Sequence, residues 1–463
     1  MHLTATHIIS LLLTLAVSIL PGIIISRRIK SADDYNVGGR SAGVSLVAGS
    51  IIGTLVGGAA TVGTAQLGFT LGLTAWWFTL GSGIALLIMA AFYAVPLRRS
   101  GLTTVSEFLV ESYGNKAGIL TSLSASAGIF FSIVASTLTA LHLVAGIFNV
   151  ELTTSAVIIL LITAGFVFFG GISGSGMAGL LKLGFIFLTI FAGGFLSFEE
   201  MGGWQGLHRT FPEYPWFSLF GRGWQDGLSS LLSMVVGVIS TQSYVQAIFS
   251  AKDSKTAAKG CTAAACVIIP IGLPSVLIGM FMHVHHPEIN SIDALPLYMM
   301  YYLPDWLGGI GLGALLLSAL GSIAGLALGI GTMISRDLVK KFWRNANQVN
   351  LLWTNRFCVL LVTICAIVFV FFHLHSSVLE WNYLSMALRG SGIFLPLTFA
   401  IFFPWQIPSL AGLSAIFFGI VMSCMWTICP PLKVNALFPA LLCNLIFLLP
   451  GIIYYRIYKK ENE

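Results

Sequence analysis

The sequence predicts an all-α protein that crosses a membrane many times, and three observations support this prediction. Hydrophobic residues make up 57% of the chain and charged residues only 9%, whereas a soluble domain carries roughly a quarter charged residues. Apolar runs of about 20 residues, the length that crosses the hydrocarbon, recur along the chain. The runs are too long and too uniformly apolar for a membrane barrel, and backbone groups in lipid must be paired internally, so a helical bundle follows.

The apolar runs divide the chain into thirteen predicted spans, numbered here in chain order. They cover residues 6–26, 42–70, 73–97, 117–148, 152–170, 176–199, 227–250, 260–283, 308–335, 351–372, 378–402, 409–428 and 434–455. No Lys or Arg precedes the first run, and Arg27, Arg28 and Lys30 follow it. This order is the reverse of a secretory signal peptide, so we predict a retained helix that enters from outside.

The distribution of Lys and Arg supports this count of spans. With the N-terminus outside, the cytoplasmic loops hold Arg27, Arg28, Lys30, Arg40, Arg98, Arg99, Lys116, Lys252, Lys255, Lys259, Arg336, Lys340, Lys341, Arg344, Arg356, Arg456, Lys459 and Lys460. The outer loops hold Arg209, Arg222 and Lys433, and Lys182 and Arg389 fall inside spans. This asymmetry predicts a multi-pass protein of the cytoplasmic (inner) membrane with its C-terminus inside. It explains the net charge of +6 without a nucleic-acid partner.

Cysteine and histidine patterns argue against redox and metal chemistry. The seven cysteines lie within or at the ends of spans, and no pair has CxxC spacing. His283, His285 and His286 lie together in an outer loop without a supporting cysteine. The spans contain no acid pair, Ser/His pair or HExxH motif. We therefore expect no enzyme activity, no cofactor and no metal beyond a coupling ion.

The second predicted span is unusual because glycine and hydroxyl residues crowd one membrane-length run. Six glycines lie between Gly43 and Gly63, with Ser50, Thr54 and Thr61 among them. Each mid-helix glycine costs about 1 kcal/mol relative to alanine. Two interpretations follow: a helix broken near the midplane, whose free carbonyls hold ions or substrate, or close helix packing through small residues.

Four short motifs follow one another along the chain. They are DDYNVGGR at 33–40, the glycine- and tryptophan-rich run at 63–81, the QSYVQA…AKDSKTA element at 242–257 and SRDL at 335–338. In this order and at these spans they resemble the sodium:solute symporter family, which includes proline, sialic acid and sugar transporters. The similarity covers spans two to nine, and thirteen spans with an outer N-terminus is a topology of that family.

The resemblance implies a LeuT-type fold in a single transporter domain. An extra N-terminal helix at 6–26 would precede a five-helix repeat at 42–199 and an inverted five-helix repeat at 227–402, with peripheral helices at 409–455. Spans 2 and 7 would be broken helices with the substrate between them. The implied function is Na⁺-coupled symport of a small polar organic solute by alternating access, carried out by a monomer in the lipid bilayer.

The resemblance also implies a sodium site between spans 2 and 9. Its ligands map onto the backbone carbonyls of Gly53 and Val56 and onto Ser318, Gly321 and Ser322 of span 9. A hard cation needs several such oxygens where a helix is interrupted. Ser318 offers a carbonyl and Ser322 a hydroxyl, whereas Gly321 lacks the hydroxyl that the family usually has there.

Span 6 departs from the family pattern W-T-D-x-x-Q. The position of the acid is Gly179 and that of the glutamine is Lys182. A lysine here would repel sodium, and its ammonium could occupy the place of the ion and exchange a proton once it loses water. The alternative hypothesis is therefore Na⁺-independent or proton-coupled transport, with Lys182 replacing the sodium. A competing interpretation is that Lys182, about two turns from the cytoplasmic end, extends to the headgroups.

Arg389 in span 11 is the main candidate for a substrate contact. It lies roughly 16 Å deep at 1.5 Å per residue, where an arginine needs an anion, carbonyls or a watery cavity. A substrate carboxylate is one predicted partner, and carbonyls of a broken helix around Gly390 and Gly392 are the other. Further candidate substrate residues are Thr54, Thr61, Thr79, Ser240, Thr241 and Gln242. Thr79 aligns with a position that is acidic in a sugar-transporting branch, so a sugar substrate is disfavoured.

A channel and a transporter-like sensor are more remote alternatives. The sequence has no ring of like charges or filter sequence that would favour a channel. A sensor would be expected to carry a long soluble C-terminal domain, and only RIYKKENE follows Tyr455.

Overall fold

A computed structural model of the chain describes residues 3–26, 36–343, 347–374, 376–404, 406–429 and 434–462. The topology predictions for Arg27, Arg28, Lys30, Lys433 and Arg344, and the start of the first motif at 33–35, lie outside these residues.

The described chain is helical throughout, with one isolated parallel β-bridge between Ala42 and Ala251. Its α-helices are α1 Ala5–Ser26, α2 Val44–Leu55, α3 Thr64–Leu71, α4 Trp77–Ile88, α5 Ala94–Ser100, α6 Val105–Tyr113, α7 Asn115–Phe148, α8 Leu152–Glu200, α9 Gly203–Thr210, α10 Glu213–Trp216, α11 Trp224–Ile239, α12 Gln242–Ser250, α13 Ser254–His285, α14 Ala294–Tyr301, α15 Asp305–Met333, α16 Lys340–Phe342, α17 Gln348–Phe371, α18 Val378–Phe402, α19 Ser409–Ile428 and α20 Leu437–Asn462.

These helices confirm the prediction of an all-α polytopic membrane protein. Among the described residues, nine helices are long and apolar enough to cross a membrane, or ten if the bent pair α11 and α12 forms one span. Shorter apolar helices include Val44–Leu55, which is half of a predicted broken span. The count of thirteen spans is compatible with this arrangement and stays a prediction.

One predicted boundary differs from the structure. The expected spans at 152–170 and 176–199 lie in a single helix, Leu152–Glu200, of 49 residues. The expected interruption rested on a run of Gly and Ser between the two spans. Glycine lowers helix propensity but keeps its backbone N–H, whereas proline removes that donor, so a Gly/Ser run can stay helical.

The glycine-rich second span is broken, and it is also closely packed. Helix α2 ends at Leu55, Val56 has the non-helical ψ of 74°, and the chain resumes as a π-helical turn at Ala59–Gly63 that leads into α3. A Cβ on Gly58 would lie 2.6 Å from Cβ of Thr139 on α7. The two interpretations of the glycines therefore both hold, because close packing on neighbouring helices accompanies the break.

The seventh predicted span is broken in a similar way. Helix α11 ends at Ile239, Thr241 has an extended backbone (φ −88°, ψ 117°), and α12 begins at Gln242. The axes of α11 and α12 differ by 45°. Both spans expected to be interrupted are thus interrupted, and each break leaves carbonyl groups without the usual helical partner.

The helices around the two breaks pack in two corresponding sets. Helix α2 packs on α8 and α15, which also pack on each other, while α18 packs on α7 and α11. The N-terminal helix α1 lies against α8 and α15, and α19 and α20 pack on each other and on α18. The two breaks are therefore enclosed by the central helices, with α1, α19 and α20 at the edge of the bundle.

Candidate functional site

Lys182 on α8 reaches into the break at the end of α2. Its side chain is 2% exposed, and its ammonium Nζ donates to the carbonyl oxygens of Gly53 at 2.7 Å and Val56 at 2.8 Å. A longer contact of 3.4 Å reaches the Ser318 carbonyl on α15. The ammonium therefore lies where three helices meet, and the side chain does not extend toward the headgroups.

Gly179 explains how α8 comes close enough for this contact. It lies about one helical turn before Lys182, on the same face of α8. A Cβ at Gly179 would lie 2.7 Å from Cα and 3.0 Å from the backbone nitrogen of Gly53 on α2. An aspartate, which the family often has at this position, would not fit this packing. The missing acid and the inserted lysine thus belong to one local arrangement.

The hydroxyls expected to bind sodium donate to carbonyls of the break. Ser318 Oγ donates to Val56 O at 2.6 Å, and Ser322 Oγ donates to Thr54 O at 2.6 Å. Gly321 faces the ammonium, since a Cβ there would lie 3.4 Å from Lys182 Nζ. The carbonyl oxygens predicted for the ion are thus the ones that accept from Lys182, and a sodium ion would need the same oxygens.

Arg389 on α18 lies beside the second break. It is 0% exposed, and its Nη1 donates to Thr241 Oγ1 at 2.7 Å. Its Nη2 donates to Ser132 Oγ on α7 at 2.8 Å and to Ser385 Oγ at 2.9 Å, and Nε donates to Ser385 O at 3.3 Å. These partners are neutral, so the hydrogen bonds described for Arg389 include no carboxylate.

The expectation that carbonyls around Gly390 and Gly392 satisfy Arg389 is wrong. Helix α18 runs unbroken from Val378 to Phe402, so the carbonyls near those glycines belong to a continuous helix. The guanidinium instead donates to hydroxyl groups on α7, on α18 and in the break between α11 and α12, and to one carbonyl of its own helix. A direct contact of Arg389 with a substrate carboxylate stays a prediction.

The other predicted substrate residues lie in different surroundings. Thr61, Thr79 and Ser240 donate their hydroxyls to carbonyls of nearby residues in their own segments, at 3.0, 3.4 and 2.7 Å. Thr54 lies against Gly325 of α15. Gln242 accepts from the backbone N–H of Val105 at 2.9 Å and donates to Thr103 O at 3.1 Å, which ties α12 to the start of α6. Within the described hydrogen bonds, Thr241 is the member of the predicted set that contacts Arg389.

Ser132 and Ser385 belong to the arginine cluster but were not predicted. Ser385 lies four residues before Arg389 and therefore on the same helical face, a signal that the sequence offered. Ser132 lies on α7, far away in the chain, and nothing in one sequence distinguishes it from the other serines of that helix.

The chain matches a family model and several characterised relatives. The model of the sodium:solute symporter family matches residues 35–407. The high-affinity choline transporter 1 of Drosophila melanogaster is 26% identical over 388 residues, which cover 78% of this chain and 61% of that protein. The human high affinity choline transporter 1 is 24% identical over 346 residues, which cover 70% of this chain and 59% of that protein. The chain thus spans about three fifths of the length of these relatives.

Two solved structures resemble the chain over most of its length. A Na⁺-coupled sialic acid symporter, in its substrate-bound outward-open state, gives a TM-score of 0.80 at 18% identity and covers 98% of both chains. A nucleobase-cation-symport-1 family transporter in a closed conformation gives a TM-score of 0.63 at 13% identity, with 91% and 94% covered. These similarities confirm the LeuT-type fold. Because the family model also matches most of its length, the chain belongs to the sodium:solute symporter family.

Proposed function

We propose that the chain is a secondary active transporter that moves a small polar organic solute by alternating access. Family membership and the two broken helices support this proposal. In such folds the substrate binds near mid-membrane, where interrupted helices expose backbone groups and helix ends. Arg389, Thr241 and the hydroxyl residues near the breaks are the proposed binding groups.

One observation carries the proposal for coupling: the Lys182 ammonium donates to the oxygens that would hold a cation. It supplies the positive charge between α2 and α15 without an ion. A sodium ion bound about 4 Å away would be repelled by about 4 kcal/mol at an effective dielectric constant of about 20. Transport through this site is therefore Na⁺-independent in our proposal.

Na⁺-coupled symport is the second candidate, and family membership supports it. The sialic acid symporter that shares the fold is Na⁺-coupled. In this candidate, sodium would bind at other oxygens or Lys182 would leave the break during the cycle. The two candidates differ in whether solute uptake needs a sodium gradient.

The charges near the two breaks favour a solute that carries a carboxylate. Lys182 and Arg389 are both buried, and their hydrogen-bond partners are carbonyls and hydroxyls. A solute cation about 10 Å from one such charge would be repelled by roughly 1.7 kcal/mol at an effective dielectric constant of about 20. The chain's relatives include choline transporters, but this positive potential attracts an anionic group instead of a cation such as choline.

Uptake into proteoliposomes tests the function. A panel of labelled small carboxylates and labelled choline would be offered with sodium, or with an impermeant cation, outside the vesicles. We expect uptake of a carboxylate solute without sodium, and loss of uptake in Lys182→Gln. The matched control, Lys255→Gln, changes an exposed lysine at the start of α13 and should transport normally. A sodium requirement in the unmodified protein would favour the second candidate, and uptake of choline alone would contradict the proposed solute class.

We also place the protein in the cytoplasmic membrane, with the N-terminus outside. The Lys and Arg asymmetry supports this orientation. Two loops predicted to be cytoplasmic also lie together, as expected for loops on one side of the membrane: Arg98 Nε donates to Ala251 O at 2.5 Å and Arg98 Nη2 donates to Lys252 O at 3.4 Å. Protease or antibody access to a C-terminal tag in intact cells tests it. We expect protection until the membrane is opened, and access in intact cells would contradict the orientation.

A further inference from the structure

The arginine cluster is built from the counterparts of the helices that surround Lys182. In the two repeats that the family resemblance implies, Lys182 lies on the last span of the first repeat, which is the C-terminal part of α8. It contacts the first helix of that repeat, α2, and the third helix of the other repeat, α15. Arg389 lies on the fifth helix of the second repeat. It contacts the break after α11, in the first helix of that repeat, and the third helix of the other repeat, α7. The helices that contact Lys182 and those that contact Arg389 therefore hold equivalent positions in the two repeats.

A glycine permits close approach at both places. At the first, Gly179 of α8 lies against Gly53 of α2. At the second, a Cβ on Gly128 of α7 would lie 2.8 Å from Cβ and from the backbone nitrogen of Arg389. Ser385 Oγ also donates to the Gly128 carbonyl. Arg389 therefore lies in a closely packed pocket that α7 and α18 form together.

The two cations differ in how firmly they hold the break. A lysine ammonium is a compact charge on a flexible stem, and it makes two short contacts here. A guanidinium keeps its charge at every physiological pH and presents a planar fork of five donors. Four hydrogen bonds of that fork reach three residues, one on α7, one on α18 and one in the break between α11 and α12, all within 3.3 Å.

We propose that Arg389 is a positioning residue that fixes the second broken helix on α7 and α18. It is a permanent cation at the place in the second repeat that corresponds to the Lys182 site in the first. The break at Thr241 thereby keeps its geometry while the break at Val56 is held by the weaker lysine contact. The comparison with Lys182 rests on the function proposed above, whereas the role of Arg389 at Thr241 is tested separately from it.

Hydrogen–deuterium exchange of the full-length protein in nanodiscs tests this role. The readout is the exchange of peptides that cover residues 224–250 and residues 44–58. We expect Arg389→Gln to raise exchange at 224–250 by about tenfold and to leave 44–58 unchanged, because only the second break loses its tether. Arg389→Lys keeps a cation and should restore most of the protection. Lys182→Gln should have the opposite pattern, and the exposed Arg209→Gln should change neither segment.

Three results would overturn the proposal. Equal loosening of both segments in Arg389→Gln would indicate a general loss of packing. Unchanged exchange in Arg389→Gln, with a raised KM for solute and an unchanged kcat, would show that Arg389 acts through substrate binding alone and does not position the break. If Arg389→Gln does not fold, Thr241→Val removes one tether bond and keeps the arginine, and unchanged exchange at 224–250 in that variant would also overturn it. A sodium requirement for uptake would overturn the Lys182 proposal and leave these outcomes for Arg389 unaffected.

Discussion

Replacing Gly179 by alanine tests the link between helix packing and the cation site. The new Cβ would meet Gly53 Cα at 2.7 Å and its backbone nitrogen at 3.0 Å, whereas carbon atoms in contact lie about 3.5–4.0 Å apart. Helix α8 must therefore move roughly 1 Å away from α2 to relieve the overlap. Lys182 moves with the helix, so its contacts of 2.7 and 2.8 Å to Gly53 O and Val56 O would exceed hydrogen-bond length.

The expected cost has two parts. Overpacking alone costs typically 1–3 kcal/mol, about the same range as one lost hydrogen bond to a charged group at roughly 1.5–3 kcal/mol. Together these losses, about 2.5–6 kcal/mol, predict a melting temperature lower by about 3–6 °C for the purified protein, since about 1 kcal/mol shifts it by roughly 1 °C in a chain of 463 residues. Uptake should fall as well, because the ammonium no longer holds the break.

Gly184→Ala is the matched control on the same helix. A Cβ at Gly184 meets no atom within 4 Å. Alanine raises helix propensity by about 1 kcal/mol at either position, so this control should be neutral or slightly stabilised. Thermal unfolding of both variants in one detergent gives the comparison. If Gly179→Ala melts within about 1 °C of Gly184→Ala, the packing argument is refuted.

The remaining predictions concern other parts of the molecule. Lys182→Ala leaves the break carbonyls without a cation, so added Na⁺ should bind there and raise the melting temperature of this variant, whereas an impermeant cation should not. The stabilisation free energy is up to about 2.7 kcal/mol at a Na⁺ concentration of 100 times Kd. The unmodified protein should show no such rise in thermal-shift measurements. Gly128→Ala should destabilise the protein by roughly 1–3 kcal/mol, because the new Cβ meets Arg389, and a melting temperature equal to that of the unmodified protein would contradict this close contact. The Thr256 N–H, which donates to the Asp253 carboxylate at the start of α13, holds the pKa of Asp253 below its ordinary value. The stability it contributes is therefore present at neutral pH and is lost as pH falls through the lowered value, so thermal melts of Asp253→Ala should lack this part of the acid dependence.

The sequence predicted the helical membrane class for physical reasons that act locally, whereas the break in the seventh span was implied by the family resemblance. Long apolar runs with few charges form helices in lipid, because every backbone polar group there must be hydrogen-bonded within the protein. The glycines before Gly63 indicated a weak or closely packed helix, and both properties are present. The boundary predicted between 170 and 176 falls within α8, because a Gly/Ser run lowers helix propensity without removing a backbone donor.

The contacts of the candidate site could not be predicted from the sequence, because they depend on how the helices pack. Resemblance placed Lys182 near the ion site, but whether its side chain turns toward α2 or toward the headgroups depends on the rotation of α8, which the packing at Gly179 sets. Arg389 was identified by its depth, yet its partner Ser132 lies 257 residues away in sequence. Such a pairing follows from how helices pack, and periodicity within one helix carries no information about it.

Simultaneous measurement of solute and sodium fluxes tests the central claim most directly. Proteoliposomes containing the unmodified protein would receive labelled solute and labelled sodium, and both would be counted in the same vesicles. If the Lys182 ammonium replaces the ion, solute enters and no additional sodium enters with it. Sodium entry that rises in a fixed ratio to solute entry would contradict that account.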